Sequence, residues 1–322
     1  MPTIPQEHAD DAARTPTPAD ARPAPGAQPL PDAPMLVDAD WLQARLGDPA
    51  LRVLDCTTYM TPQPVGPSRI TSGRPDWARA HIPGADHVCM VDDLSDPAGR
   101  YPYTLPPDAQ LEALLSRLGI GHEHRVVLYG AAHPMVVTRA WWVLSALGHA
   151  RVSILDGGMA AWAKDKKNPL QAGAAKSEPK TFKVSVRKDM IVTMEDMKKA
   201  KASGVLLVDN RPEDQYVGIN RHPKATQSGT IEGAKNLPNG WLTVNGMGEF
   251  RDRSQLDQLY KVASVPTSGD QINFCNTGHW ASVGWFVSSE LLGNKKAKLY
   301  DGSMTEWTML KGGPVEQKVK LN

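Results

Sequence analysis

The sequence has little cysteine, no long apolar run and almost no net charge. Three cysteines in 322 residues exclude a disulfide scaffold, and no pair of them has the spacing of a metal site. No apolar run approaches the ~20 residues of a membrane span, and the N-terminus lacks the apolar segment of a signal peptide. A formal net charge of +1 argues against a protein that binds nucleic acid or an anionic membrane. We therefore expect a cytoplasmic protein with neither kind of partner.

The length and the apolar content predict two folded domains of ordinary size. Apolar residues make up 41% of the chain, so each half can bury a core and global disorder is excluded. Residues 1–34 are rich in Pro, Ala, Asp and Thr and are expected to form a disordered tail. We place the first domain at 35–163, a polar linker at 164–184 and the second domain at 185–322.

Lysine is absent from residues 1–163, and every lysine of the chain lies from Lys164 onward. Chance together with a basic linker explains this asymmetry, and so does a fusion of two halves with separate origins. The sequence leaves both explanations open.

The two halves repeat one order of landmarks. Each has a buried strand ending in Asp, an Ile-x-Gly-Ala turn, a second apolar strand, a helix-like run closed by Gly, and an Asp-Gly segment closed by Trp. These lie at 52–55, 81–85, 126–129, 136–147 and 156–162 in the first half, and at 205–209, 230–234, 271–274, 281–292 and 301–307 in the second. Such alternation of strands and helices predicts an α/β fold, with a mainly parallel sheet in each half.

The loop at 275–280 carries the strongest chemical signal. It lies between a predicted strand and a helix N-terminus, where backbone N–H groups and the helix dipole favour negative charge. A thiol there is expected to have a lowered pKa and to act as a nucleophile. The first half has Gly130 at the matching position, so Cys275 is not a packing requirement, whereas Cys56 and Cys89 are expected to be simply buried. The loop residues after Cys275 are Asn276, Thr277, Gly278, His279 and Trp280.

Four segments together resemble the tandem-domain rhodanese-like sulfurtransferases: HIPGA at 81–85, the Cys275 loop, LDGG at 155–158, and YDGS with EW at 300–307. The resemblance covers about residues 36–312. It implies two tandem rhodanese-like domains, each a mainly parallel sheet flanked by helices, with a catalytically silent first domain. It further implies that Cys275 carries a sulfane sulfur as a persulfide, from thiosulfate or 3-mercaptopyruvate to a thiol, protein thiol or cyanide. No metal or organic cofactor is implied.

The resemblance leaves the donor open. The loop Cys-Asn-Thr-Gly matches neither the Cys-Gly-Ser-Gly of mercaptopyruvate enzymes nor the Cys-Arg-Lys-Gly of vertebrate thiosulfate enzymes. Gln215 stands where the family has a substrate-binding arginine. The basic side chains could bind an anionic donor or be merely solvated. The histidine could assist a hydroxyl relay at the substrate, as the resemblance to the mercaptopyruvate branch implies, or stabilise a turn. The candidate substrate-binding residues are Arg211, Arg221, Lys224, His81 and Ser303.

Two other functions use a similar loop. A phosphatase of the related fold needs Cys-x5-Arg to grip phosphate, but the matching position is Ala281 and the loop is one residue too short. A persulfide carrier that delivers sulfur to a specific protein partner needs the same loop, so the sequence keeps this alternative. Turnover with cyanide or small thiols favours the enzyme, and activity with a protein acceptor alone favours the carrier.

Overall fold

A computed structural model describes residues 33–64, 66, 68–173 and 177–321. The expected disordered tail therefore lies outside the described residues, except for its last two. Within the described ranges, no helix is long and apolar enough to cross a membrane. The same ranges contain no group of three or more His, Cys, Asp or Glu side chains that could hold a metal ion.

The first half contains seven strands and five helices among the residues that the structure describes. In chain order its elements are β1 Leu36–Val37, α1 Ala39–Gln43, β2 Leu51–Asp55, β3 Thr58–Thr61, β4 Arg69–Ser72, α2 Arg74–Arg79, β5 Ala85–His87, α3 Asp108–Arg117, β6 Arg125–Tyr129, α4 Met135–Ala146, β7 Val152–Leu155 and α5 Gly158–Trp162. Five strands form a parallel sheet in the order β1-β7-β6-β2-β5, and β3 and β4 form a separate antiparallel pair. Alternate residues of β6 enter two different cores: Val126 and Leu128 pack in one, Val127 and Tyr129 in the other. Both faces of the sheet are therefore covered, which is why its strands read as continuous apolar runs.

The second half has a similar succession of strands and helices. In chain order its elements are β8 Ile191–Val192, α6 Met194–Ala202, β9 Leu206–Asp209, α7 Glu213–Val217, β10 Thr230–Ile231, β11 Lys235–Asn236, α8 Arg253–Val262, β12 Gln271–Phe274, α9 His279–Phe286, β13 Ala297–Tyr300, α10 Ser303–Met309 and β14 Val315–Glu316. Five strands form a parallel sheet in the order β11-β9-β12-β13-β8, and β10 pairs separately with β14. The order of equivalent strands is the same in both sheets, which confirms the internal repeat and the α/β fold.

The expected helix at 281–292 differs in detail from the prediction. It begins at His279, and after Phe286 it continues as a π-helical turn, Val287–Leu291. The glycines that were expected to end the two long helices, Gly148 and Gly293, both have a positive φ, as helix stops commonly do. Between α5 and Lys188 the described residues form no helix or strand beyond a single bridge at Gln171.

The two halves pack against each other through α4 and α9. Every residue of α4 is buried, because this helix lies between its own sheet and the other half. Trp141 contacts Trp285, with ring centroids 5.4 Å apart, and Phe286, at 5.6 Å. The Thr138 and Ser282 hydroxyls hydrogen-bond at 2.7 Å. One hydrophobic core therefore contains residues of both halves.

Candidate active site in the cleft between the halves

Cys275 follows β12 directly and precedes the first residue of α9 by one short loop. The loop turns at Gly278, whose φ of +79° is in the left-handed region that favours glycine. Ser303 lies beneath the loop, where its Oγ accepts hydrogen bonds from the backbone N–H of Cys275 at 3.0 Å and of Gly278 at 3.2 Å. The parallel sheet thus places the thiol at the carboxyl edge of its strands, where ligands bind in such folds.

The pKa of the Cys275 thiol is shifted in the direction opposite to the one expected from the sequence. The residue is 1% exposed, and this burial raises its pKa above the ordinary value. The backbone N–H groups of Ala281, Thr277 and Gly278 lower the pKa, and the charge of Asp209 raises it. The expectation of an acidic thiol is therefore wrong, because loss of hydration outweighs the loop amides.

A pH titration of alkylation tests this shift. Because burial raises the pKa of the Cys275 thiol, its reaction with iodoacetamide is expected to speed up as pH rises, with a midpoint above the ~8.5 of a free cysteine. The Cys275→Ser protein supplies the background from Cys56 and Cys89. A midpoint below that of free cysteine would show that the amides outweigh burial.

A cavity of about 420 Å³ opens over Cys275 between the two halves. Such a volume lies within the range of pockets that hold small organic ligands. The first half contributes apolar and aromatic side chains to its wall, among them Met60, Ile70, Tyr103 and Met135. From the second half, the loop side chains Cys275, Asn276, Thr277, His279 and Trp280 line the cavity, together with Gln215, Arg221 and Lys224. Two of the candidate cations, Arg221 and Lys224, therefore lie in the same cavity as the loop side chains.

Arg211 does not reach this cavity. Its guanidinium binds the Asp209 carboxylate in two places, Nε to Oδ1 at 3.0 Å and Nη2 to Oδ2 at 2.6 Å, and Nη2 also donates to the Gly229 carbonyl at 2.7 Å. Arg211 is only 1% exposed. Its donors hold the chain around a buried carboxylate, so the structure supports no contact between this residue and a substrate.

His81 and Ser303 also lie outside the cavity lining. His81 is buried in the first half, where Nδ1 donates to the Trp77 carbonyl at 2.7 Å and the ring stacks on Trp77 at 5.0 Å. Its backbone pairs with Gln171 in both directions. This placement favours the turn-stabilising alternative for His81, and Ser303 supports the loop from behind.

His279 lines the cavity as a neutral imidazole. Its Nδ1 lies 3.0 Å from the Thr277 carbonyl, so this nitrogen carries the proton. Burial, together with the nearby Arg139 charge, lowers the pKa of His279 well below its ordinary value. The imidazole therefore adds no positive charge for an anionic donor at neutral pH.

Two features of the site were not predicted from the sequence. Tyr103 lies in a loop of the first half and has a positive φ of 66°. Its ring packs edge-on against His279, with ring centroids 4.9 Å apart. Gln215 accepts a hydrogen bond from the Asn276 amide at 2.8 Å, so it braces the loop where the family has an arginine. No periodicity marks Tyr103 in the sequence, because its role depends on how the halves pack.

Comparisons with known proteins agree with this architecture. A family model described as a rhodanese-like domain matches residues 38–165 and again 193–310. The chain is 31% identical to the sulfur carrier protein TtuD of Thermus thermophilus, over 87% of this chain and 96% of that protein. It is 30% identical to the thiosulfate sulfurtransferase of Corynebacterium glutamicum, over 87% and 90%.

Solved structures show the same fold. The crystal structure of SseA, a 3-mercaptopyruvate sulfurtransferase of Escherichia coli, superposes with a TM-score of 0.74 at 26% identity. The match covers 84% of this chain and 99% of SseA. With the domain matched twice and a cysteine loop in the second copy alone, the chain belongs to the tandem-domain rhodanese-like sulfurtransferases.

Proposed function

We propose that this sulfurtransferase carries a sulfane sulfur on Cys275, from thiosulfate or 3-mercaptopyruvate to a thiol, a protein thiol or cyanide. The position of Cys275 carries the proposal. Its thiol lies at the floor of a cavity of about 420 Å³ between the halves, and backbone N–H groups approach its sulfur. The equivalent residue of the first half is Gly130, which has no sulfur to transfer.

With thiosulfate, the Cys275 sulfur attacks the outer sulfur, a new S–S bond forms, and the bond to the sulfonate sulfur breaks. The thiol proton leaves with the departing sulfite as hydrogen sulfite, so the step requires no oxidant. The N–H groups of Ala281, Thr277 and Gly278 approach the Cys275 sulfur, where they would stabilise the negative charge of the persulfide. A nucleophilic acceptor then takes the outer sulfur, which makes the scheme a two-step covalent transfer.

Arg221 and Lys224 supply the cations for an anionic donor. Both line the cavity, and both are exposed to solvent. Arg221 Nη1 donates to the Thr226 carbonyl at 3.0 Å, which holds its loop. Since Gln215 is neutral, the site has one cation fewer than the family pattern. We therefore propose a weak affinity for thiosulfate.

Changing these cations is expected to change the Michaelis constant rather than the turnover. Lys224→Ala should raise KM for thiosulfate about two- to fivefold, and more at low salt, because an exposed cation contributes up to ~1 kcal/mol and is screened by ions. Gln215→Arg should lower KM for thiosulfate or 3-mercaptopyruvate.

Steady-state kinetics with each donor and cyanide as acceptor measures these effects and decides which donor is preferred. Lys261→Ala, an exposed lysine of α8 outside the cavity lining, is the matched control. Unchanged kinetics in both Lys224→Ala and Arg221→Ala with every donor would place the anion site elsewhere.

A persulfide carrier is the second candidate, favoured by the 31% identity to a protein named a sulfur carrier. Rapid turnover with cyanide and small thiols supports the enzyme, whereas transfer to a protein acceptor alone supports the carrier.

Three expectations from the sequence stay predictions. They are the cytoplasmic location, the absence of nucleic-acid and membrane partners, and the domain limits at 35–163, 164–184 and 185–322.

A further inference from the structure

The buried side chain of Arg139 crosses from the first half to the catalytic half. Arg139 lies on α4 with its side chain 0% exposed, and its Nη1 donates to Asp301 Oδ1 at 2.5 Å. Its Nη2 donates to the Tyr103 carbonyl at 2.8 Å, and the guanidinium lies over the Trp142 ring at 4.8 Å. The other oxygen of Asp301, Oδ2, accepts from the backbone N–H of Leu105 at 3.2 Å. The first half therefore binds both oxygens of a carboxylate that belongs to the second half.

This ion pair lies directly against the turn of the Cys275 loop. A Cβ placed on Gly278 would lie 2.8 Å from Asp301 Oδ1 and 3.0 Å from Arg139 Nη1. Ser303, two residues beyond Asp301, accepts hydrogen bonds from the backbone N–H groups of Cys275 and Gly278. The residues that follow β13 thus contact the loop at two points, through Asp301 and through Ser303, and Arg139 holds Asp301 in place.

The twin site in the other half lacks the arginine. The equivalent of Asp301 is Asp156, whose Oδ1 accepts from the backbone N–H of Phe250 at 2.9 Å, just as Asp301 accepts from Leu105. The residue equivalent to Arg139 is Gly284, and a Cβ there would lie 2.3 Å from Asn210 Nδ2. Each half therefore donates one backbone N–H hydrogen bond to the aspartate of the other half. The buried guanidinium serves only the half that carries the cysteine, so the fold itself does not require it.

We propose that Arg139 is a positioning residue for sulfur transfer: through Asp301 it fixes Gly278, and with it the orientation of the Cys275 loop. The catalytically silent first half thus acts on the chemistry of the second. The inference rests on the proposed function for its kinetic test, but the geometry of the loop has a second test that needs no sulfur donor.

The experiment compares Arg139→Met, Arg139→Lys and Asp301→Asn in the full chain with Thr138→Val as the control. Thr138→Val removes the hydrogen bond to Ser282 across the same helix pair, whereas Arg139, Asp301 and Gly278 keep the contacts that the proposal uses. We expect Arg139→Met and Asp301→Asn to lower kcat about ten- to hundredfold, because displacement of a reacting group by ~1 Å can cost 10²-fold. KM for the donor should stay within about twofold, since Arg221 and Lys224 remain.

Partial recovery of kcat in Arg139→Lys supports the proposal, since an ammonium keeps the charge but not the fork of two donors. The rate of Cys275 alkylation by iodoacetamide should change in the Arg139 and Asp301 variants and not in Thr138→Val. This readout remains valid if the wild-type protein transfers no sulfur, an outcome that would refute the proposed function alone.

The proposal is overturned if the folded fraction of Arg139→Met keeps the wild-type kcat and alkylation rate, because the pair would then only hold the halves together. Should Arg139→Met fail to fold, Asp301→Asn and Arg139→Lys decide. Wild-type kcat in both of these variants equally overturns the proposal.

Discussion

Replacing Cys275 with serine is expected to abolish sulfur transfer, with a loss of roughly 10³-fold or more in kcat, as for other enzymes that lose their nucleophile. A hydroxyl in the same loop is a poor nucleophile for sulfane sulfur, and it cannot carry a persulfide. Steady-state assays with either donor measure the loss. After the wild-type protein is treated with donor, mass spectrometry should find one extra sulfur on the peptide that contains Cys275.

Cys56→Ser and Cys89→Ser are the matched controls. Both cysteines are buried in the first half outside the cavity lining, and burial raises the pKa of each thiol. Folded protein with either change should keep most of its activity. An extra sulfur located on Cys56 would contradict the assignment of Cys275 as the carrier.

Replacing Arg211 with alanine is expected to lower the free energy of unfolding by about 3–5 kcal/mol, the usual loss when one partner of a buried ion pair is removed. Among the residues that the structure describes, the change leaves the buried Asp209 carboxylate with the Thr230 hydroxyl, at 2.7 Å, and the backbone N–H of residue 211. Urea unfolding followed by circular dichroism measures the loss. The KM of the remaining folded protein should stay close to the wild-type value.

Arg221→Ala separates this structural role from substrate binding. Arg221 is exposed and lines the cavity, so its loss should change stability by no more than about 0.5 kcal/mol and should raise KM instead. The reverse pattern, with Arg211→Ala raising KM at unchanged stability, would return Arg211 to the substrate site.

The two halves share a fold but contribute different groups to the site. The shared fold offers two loops at the carboxyl edges of two sheets, and Cys275 occupies one while Gly130 occupies the other. The half without the nucleophile still supplies Tyr103 and Met60 to the cavity wall. We propose that these side chains enclose the sulfur and exclude water from a reactive intermediate, in addition to the support that Arg139 gives to the loop.

The sequence by itself determined the repeat, the two parallel sheets and the position of Cys275 at the end of its strand. These features depend on local patterns: apolar strands, glycine stops and a loop before a helix recur in register in both halves. A parallel sheet then places every loop after a strand at the same edge, so the cysteine loop could be located without any knowledge of side-chain contacts.

Only the tertiary structure decided which groups meet Cys275 and what charge they carry. Arg211 has the sequence position expected of a substrate-binding cation, yet its guanidinium binds Asp209. A buried carboxylate needs a charged partner, and Asp209 lies only two residues away. The direction in which the pKa of Cys275 shifts depends on how completely packing removes water from the thiol. The residue types of the loop do not show how complete that burial is. Arg139 reaches Asp301 only because α4 packs on α9, and periodicity shows that a helix face is apolar without showing which helix covers it.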